Sequence, residues 1–292
     1  MMQYIIRCGT AQAVVTSRSA ELISFQKDGQ EYVWTGDPTY WGGHNPILFP
    51  AVCRAKNNVL VFDGVAYPFE KHGFARKSEF ALAAQGEDFV SLVLCDNEQT
   101  RSGFPFHFKL TVTHRVTQDS FITSYRVDNL DEREMAFLIG GHTGILLDFG
   151  GCRSIEGWQL KFEQVEHADV YYGDENLFIQ RHLKYDDILN GSDTVALTCQ
   201  TFDRDELMIE GLKSKRVRLI SPSGKGVEMD FGDFPVLGVW TPPKQDAPFV
   251  CLEPWHGMPS LADESGEMRE RPHAIVLDAG ENKELSYRLR VL

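Results

Sequence analysis

From His107 to Val116 the chain sets Phe108, Leu110, Val112 and Val116 on one side. Lys109, Thr111, Thr113 and Arg115 stand on the other. After the turn-like Gln118-Asp119-Ser120 the pattern resumes through Phe121, Thr123, Tyr125 and Val127. It returns at the C-terminal end, where Leu285, Tyr287, Leu289 and Val291 oppose Ser286, Arg288 and Arg290. A period of two belongs to an extended chain, because successive side chains of a strand point to opposite faces. Such segments read as half-buried antiparallel strands with one apolar face turned inward.

Shorter strand candidates lie at Ala13–Ser17, Glu21–Gln26, Val90–Cys95, Val217–Ile220, Val236–Thr241 and Phe249–Glu253. Helical periodicity is scarce: only Arg204–Leu212 and a stretch near Lys184–Leu189 suggest a turn or two. Turn signals recur at Asp28-Gly29, Asp63-Gly64, Asn190-Gly191, Ser223-Gly224 and Ala279-Gly280. Many short strands with frequent turns predict an all-β protein, a large antiparallel sandwich or barrel. With no low-complexity linker, internal repeat or composition break, residues 1–292 are expected to form one domain.

The formal charge of −13 disfavours nucleic acid and anionic membranes as partners, and is indifferent to a neutral small molecule. Six cysteines are scattered without a CxxC pair, which reads as reduced thiols rather than a disulfide framework. The N-terminus lacks a basic region followed by a long apolar stretch, and no run approaches a membrane helix. A cytoplasmic location is the expectation.

Three residues stand in contexts that favour proton transfer. Glu253 follows the apolar Phe249-Val250-Cys251-Leu252 and precedes Pro254-Trp255; burial there raises a carboxyl toward the range of a useful general base. His72 lies in Lys71-His72-Gly73-Phe74-Ala75-Arg76, and His142 in Gly140-Gly141-His142-Thr143-Gly144. The loop Trp41-Gly42-Gly43-His44-Asn45-Pro46, with Arg54 beyond it, suits a carbohydrate, which needs polar forks and an aromatic platform together. His44 and Trp41 read as pocket wall or core, and His107, His114, His167, His182 and His273 as structural or surface residues. Lys213-Ser214-Lys215-Arg216 with Arg218 reads as the solvated face of a strand. There is no phosphate-binding glycine loop, HExxH or clustered metal-ligand spacing, so neither cofactor nor metal is expected.

These segments, in this order, resemble the aldose 1-epimerase (galactose mutarotase) family, in particular its shorter bacterial-type branch. The resemblance runs nearly end to end. It takes in Ser19–Ser24, Glu31–Trp34, Leu48-Phe49-Pro50 with Arg54, His72–Arg76, Phe104–Phe108, Gly140-Gly141-His142 and Leu252-Glu253-Pro254-Trp255. It implies a β-sandwich with a sugar site in an open cleft on one sheet, and interconversion of the α and β anomers of a free hexose. It further implies Glu253 as general base, His142 as general acid, His72 as the second active-site histidine and Arg54 on the sugar hydroxyls. Asp205 is the best match for an acidic substrate-binding residue. The implied partner is a small sugar alone, met by a monomer or a homodimer, with no cofactor and no metal. Thr143 and Ile145 replace a proline and an aromatic common in the family, and His256 replaces Tyr or Cys; these changes bear on sugar preference more than on chemistry. Two rivals remain: a hexose-6-phosphate 1-epimerase on the same scaffold, which needs a cationic cluster, and a non-catalytic carbohydrate-binding protein.

Overall fold

In the computed structural model, which describes residues 1–185 and 188–292, strands take 49% of the chain and helices 7%. The alternating segments form a nine-stranded sheet. Its strands are Ser192–Ala196, Gln159–Glu166, Arg216–Ile220, Gly226–Asp230, Asn282–Val291, Ser120–Asn129, Phe108–Val116, Phe89–Cys95 and Ala81–Gln85, in spatial order. An eight-stranded sheet runs Ile179–Tyr185, Asp169–Gly173, Leu207–Glu210, Val236–Trp240, Phe249–His256, Ile139–Gly141 and Ile47–Leu48. Thr143–Leu146 is its eighth strand and also pairs with Phe249–His256. Both sheets are antiparallel throughout. Four strands between Gln3 and Glu31 form a smaller sheet at the side. Asp28-Gly29 and Asp63-Gly64 each make a two-residue hairpin loop with both residues at positive φ, as their sequence signals.

The two large sheets share one apolar core. Leu110, Val112 and Leu289 of the nine-stranded sheet enter the same cluster as Leu207, Val239, Val250 and Leu252 of the other. Polar groups crossing between the layers find partners. The Thr143 hydroxyl donates to Asn45 Oδ1 at 3.0 Å, the Tyr287 hydroxyl donates to the same oxygen at 3.1 Å, and Tyr125 reaches the Gly140 carbonyl at 3.5 Å. This is a two-layer β-sandwich.

Two local expectations are corrected. Arg204–Leu212 is not helical: Leu207–Glu210 is an interior strand, with Leu207, Met208 and Ile209 all buried. A strand covered on both faces loses its alternation and resembles a short helical run. Of Lys184–Leu189, Lys184 and Tyr185 end a strand, while Asp186 and Asp187 lie outside the described residues. The Phe249 strand continues past Glu253 to His256. Arg216 and Arg218 are exposed and pair with Glu163 and Glu228, the solvated face expected of that stretch.

His114 illustrates how the core treats a polar group. Its Nε2, 2.7 Å from the Ala20 carbonyl, must carry the hydrogen, leaving Nδ1 to accept from the Thr123 hydroxyl at 3.1 Å. Burial pulls its pKa from 6.5 down to about 4. The unfolded ring takes a proton near 6.5 and the folded ring resists until about 4. The stability this provides is therefore complete above the first value and lost as pH falls through the second, on the order of 3 kcal/mol. His114→Gln keeps a donor for Ala20 but cannot titrate. Its melting temperature should fall less steeply between pH 7 and pH 4 than the parent's, and parallel falls would contradict this reading.

Candidate active site

The strand Phe249–His256 sorts its side chains by parity. Val250 and Leu252 enter the inter-sheet core, whereas Phe249 and Cys251 join a second cluster with Trp34, Leu146 and Ala247, packed by Tyr40, Trp41 and Trp240. Glu253 has the parity of that second, aromatic face and is fully buried. The neighbouring chain pairs with this strand in two pieces, Thr143 opposite Leu252 and Gly140 opposite Trp255, with His142 in the break between them. Pro254, which has no N–H to give, falls at the same break. The register on both sides of the gap sets His142 opposite Glu253, and its Nε2 is 3.3 Å from Glu253 Oε1.

Aromatic packing fixes that imidazole. Trp41 stacks on His142 with ring centroids 4.7 Å apart, and Trp240 meets it edge-on at 5.7 Å. A side chain at Gly144 would collide with Trp34 at 2.9 Å and Trp41 at 3.1 Å, so glycine there lets the platform close over the strand. His72 meets His142 edge-on at 5.6 Å. Its Nδ1 accepts the Cys53 N–H at 3.1 Å, which leaves Nε2 to carry the hydrogen of the neutral ring. His72 and Gly73 are both left-handed, and a Cβ on Gly73 would lie 2.2 Å from the Phe49 carbonyl oxygen. Only glycine permits that approach.

Arg54 and Asp205 line one narrow cleft with Cys53, Lys71, Glu206 and Met208; His72, His142 and Glu253 are not among its lining residues. Asp205 accepts the Trp240 indole N–H at 2.7 Å, which ties it to the aromatic wall. Glu206, absent from the sequence reading, is the carboxyl that faces Glu253. A Cβ on Gly238, the residue directly opposite Glu253, would come within 3.1 Å of Glu206 Oε1. Met208 pairs with Gly238, and Glu206 shares the parity of Met208; reading Leu207–Glu210 as a strand would have placed it on this face. Lys71 was missed as well. Thr143 and Ile145 turn into the inter-sheet core, and His256 Nδ1 donates to the His273 carbonyl at 2.8 Å. None of the three departures therefore contacts the cleft wall described here.

Desolvation sets the protonation of the site. It drives Glu253 well above the usual carboxyl range, helped by the like charge of Glu206. Glu206 is pushed up to about 8, first by burial and then, among charges, by Asp205, while Lys71 opposes the rise. The same burial lowers His142 to about 3 and takes His72 well below its ordinary value; the Lys71 ammonium adds to both shifts. Both Glu253 oxygens and His142 Nδ1 lack a hydrogen-bond partner among the described residues. A neutral imidazole thus stands beside a carboxyl pair that retains a proton near neutrality, the perturbed pattern that marks a reactive site.

The sequence profile described as aldose 1-epimerase matches residues 2–290. The chain belongs to the aldose 1-epimerase family. The plasmid-borne protein LacX of Lactococcus lactis subsp. lactis is 30% identical over 273 residues, 91% of each chain. Among solved structures, a galactose mutarotase-like protein from Lactobacillus casei matches with a TM-score of 0.92 and 28% identity over the whole of both chains. A galactose mutarotase related enzyme from Lactobacillus acidophilus matches at 0.91 and 26%, over 100% of this chain and 97% of the other. No helix among the described residues is long and apolar enough to cross a membrane.

The carboxyl pair has a direct spectroscopic test. A raised pKa means the proton is held below about 8 and lost as pH rises through it. The infrared spectrum at pH 7 should show a protonated-carboxyl band that fades above about pH 8 and is missing from the Glu206→Gln/Glu253→Gln double variant. Two ionised carboxylates at pH 7 would refute the assignment.

Proposed function

We propose that the protein is an aldose 1-epimerase that interconverts the α and β anomers of a free hexose, with galactose the first candidate. The observation that carries this is the Glu253–His142 pair, a carboxyl and an imidazole 3.3 Å apart, with Trp41 and Trp240 packed on the imidazole. Family membership and the galactose mutarotase-like relatives support the same reading.

The reaction needs one proton removed and one supplied. Glu253, ionised, takes the proton of the anomeric hydroxyl while His142 gives one to the ring oxygen. The C1–O5 bond breaks as the C1 carbonyl forms. Rotation about C1–C2 presents the other face, and closure returns both protons to the groups that exchanged them. The productive state is the one in which the carboxyl proton has crossed to His142 Nε2, a transfer between adjacent groups. His72, through Nε2–H, and Arg54 supply hydrogen bonds to the sugar; Asp205 and Glu206 accept from its hydroxyls. The reaction requires no metal, nucleotide or covalent intermediate.

A phosphorylated aldose is the second reading, favoured by one observation. Arg54, Lys71 and Arg76 have no ion-pair partner among the described residues, in a chain where acidic residues outnumber basic ones. Polarimetric or coupled mutarotation assays on a panel of free and 6-phosphorylated aldoses separate the two. A uniform lack of acceleration by folded protein would leave the binding-protein reading instead.

Glu253→Gln and His142→Asn should each lower turnover by roughly 10²-fold or more, with sugar affinity falling far less. Arg54→Ala should do the reverse, raising KM with a smaller loss of kcat. The Glu253/His142 double variant should lose less than the product of the singles, because the two act on one proton. Near-normal turnover in Glu253→Gln would overturn its role and pass the base to His72, Asp205 or Glu206.

A further inference from the structure

We propose that the cleft floor is also a binding site for a thiophilic divalent cation, zinc being the type, on His142 Nε2, Cys251 Sγ and a Glu253 oxygen, and that its occupancy shuts the sugar site. The three donor atoms lie within 4.8 Å of one another, and all three residues are buried. In a tetrahedral zinc site with bonds of about 2.0–2.3 Å, donors stand roughly 3.3–3.8 Å apart. His142 Nε2 and Glu253 Oε1, at 3.3 Å, already meet that spacing. The remaining approach to the sulfur is a rotamer-scale adjustment.

The arrangement follows from the strand geometry. Cys251 and Glu253, two residues apart, project from one face of the same strand, and the register of the neighbouring strands sets His142 opposite Glu253. Because the imidazole comes from a segment more than a hundred residues away from the other two donors, the set is not conspicuous in the sequence. A cation there would bridge the existing 3.3 Å contact between His142 Nε2 and Glu253 Oε1. A sulfur, nitrogen and oxygen set suits zinc and disfavours magnesium and calcium, which take oxygen ligands. Burial holds the Cys251 thiol protonated, aided by the Glu253 and Glu206 charges, so binding releases the thiol and carboxyl protons as the metal takes their place. Three protein ligands leave a fourth position to water. Zinc would engage the very groups assigned as acid and base, which makes it a competitor of the sugar.

The inhibitory consequence rests on the mutarotase reading; the binding does not, and the experiment separates them. Cobalt(II) titrated into the full-length protein should give a thiolate-to-cobalt charge-transfer band that Cys251→Ala abolishes and Glu253→Gln weakens. In parallel, zinc should inhibit mutarotation competitively with sugar. Cys251→Ala, which leaves acid and base in place, should raise the inhibitory zinc concentration about tenfold or more, since even an outer-shell partner is worth about 10–100-fold. Cys251→Ser, which keeps the size of the side chain but supplies a poor ligand, should behave alike and guards against a loosened cleft. A cobalt band that persists in both variants would place the metal on another cysteine and overturn the site. Zinc inhibition that is unchanged in both, or not competitive, would overturn the link to the sugar cleft. Should no aldose be turned over, the cobalt spectra alone decide whether the site exists.

Discussion

Burying Glu253 with another carboxyl, Glu206, and a neutral imidazole as its polar neighbours is the unfavourable act around which the site is arranged. An unpartnered ionised carboxylate in such a place is prohibitively costly, and the group escapes by holding a proton. Everything nearby enforces that state. The aromatic cluster of Trp34, Trp41, Trp240 and Phe249 excludes water, and Glu206 adds a like charge. Pairing on both sides of the Phe249–His256 strand prevents the backbone from turning the side chain outward. A fold selected only for stability would place an apolar residue here. Retaining a carboxyl at this position makes sense where a sugar supplies the missing hydrogen bonds.

The break in pairing at His142 is the second consequence of the same strand. Proline in an interior strand leaves one backbone acceptor of its neighbour without a donor, and the neighbour accommodates this by parting from the ladder at that point. His142 stands in that gap, opposite Glu253. Gly140 and Gly144 on either side are needed because Trp255 and Trp41 pack directly on the backbone that flanks the break. The motif Gly-Gly-His-Thr-Gly is thus intelligible as packing around a gap in the pairing that leaves the register unchanged.

The half-exposed sheet was readable from sequence because one wet face and one dry face produce alternation; Phe108–Val116 and Asn282–Val291 fall where the pattern predicts. The interior strands of the eight-stranded sheet were harder. Leu207–Glu210 is buried on both faces, so its period vanishes and a helical turn fits equally well. That misreading carried a second error with it, since Glu206 takes its orientation from the strand that follows. Glu253, His72 and His142, which the fold brings together, stood out in the sequence because a charged or titratable residue inside an apolar or glycine-rich run is conspicuous. Cys251 was not, because a cysteine inside such a run looks like core, and only the folded chain shows what lies beside it.

One cause, removal of water, shifts the two reacting groups in opposite directions: the carboxyl upward and the imidazole downward. The pair is therefore held neutral without sugar, although the same proton placed on His142 would give the ionised base and charged acid that anomer exchange requires. The Lys71 ammonium acts on both partners: it favours the ionised carboxyl and disfavours the charged imidazole. In the proposed reaction a bound sugar would change this balance by giving the nascent carboxylate a hydroxyl to accept from and the imidazolium a ring oxygen to donate to. Charge separation in that proposed reaction would thus arise only with sugar bound, which would tie proton transfer to substrate binding.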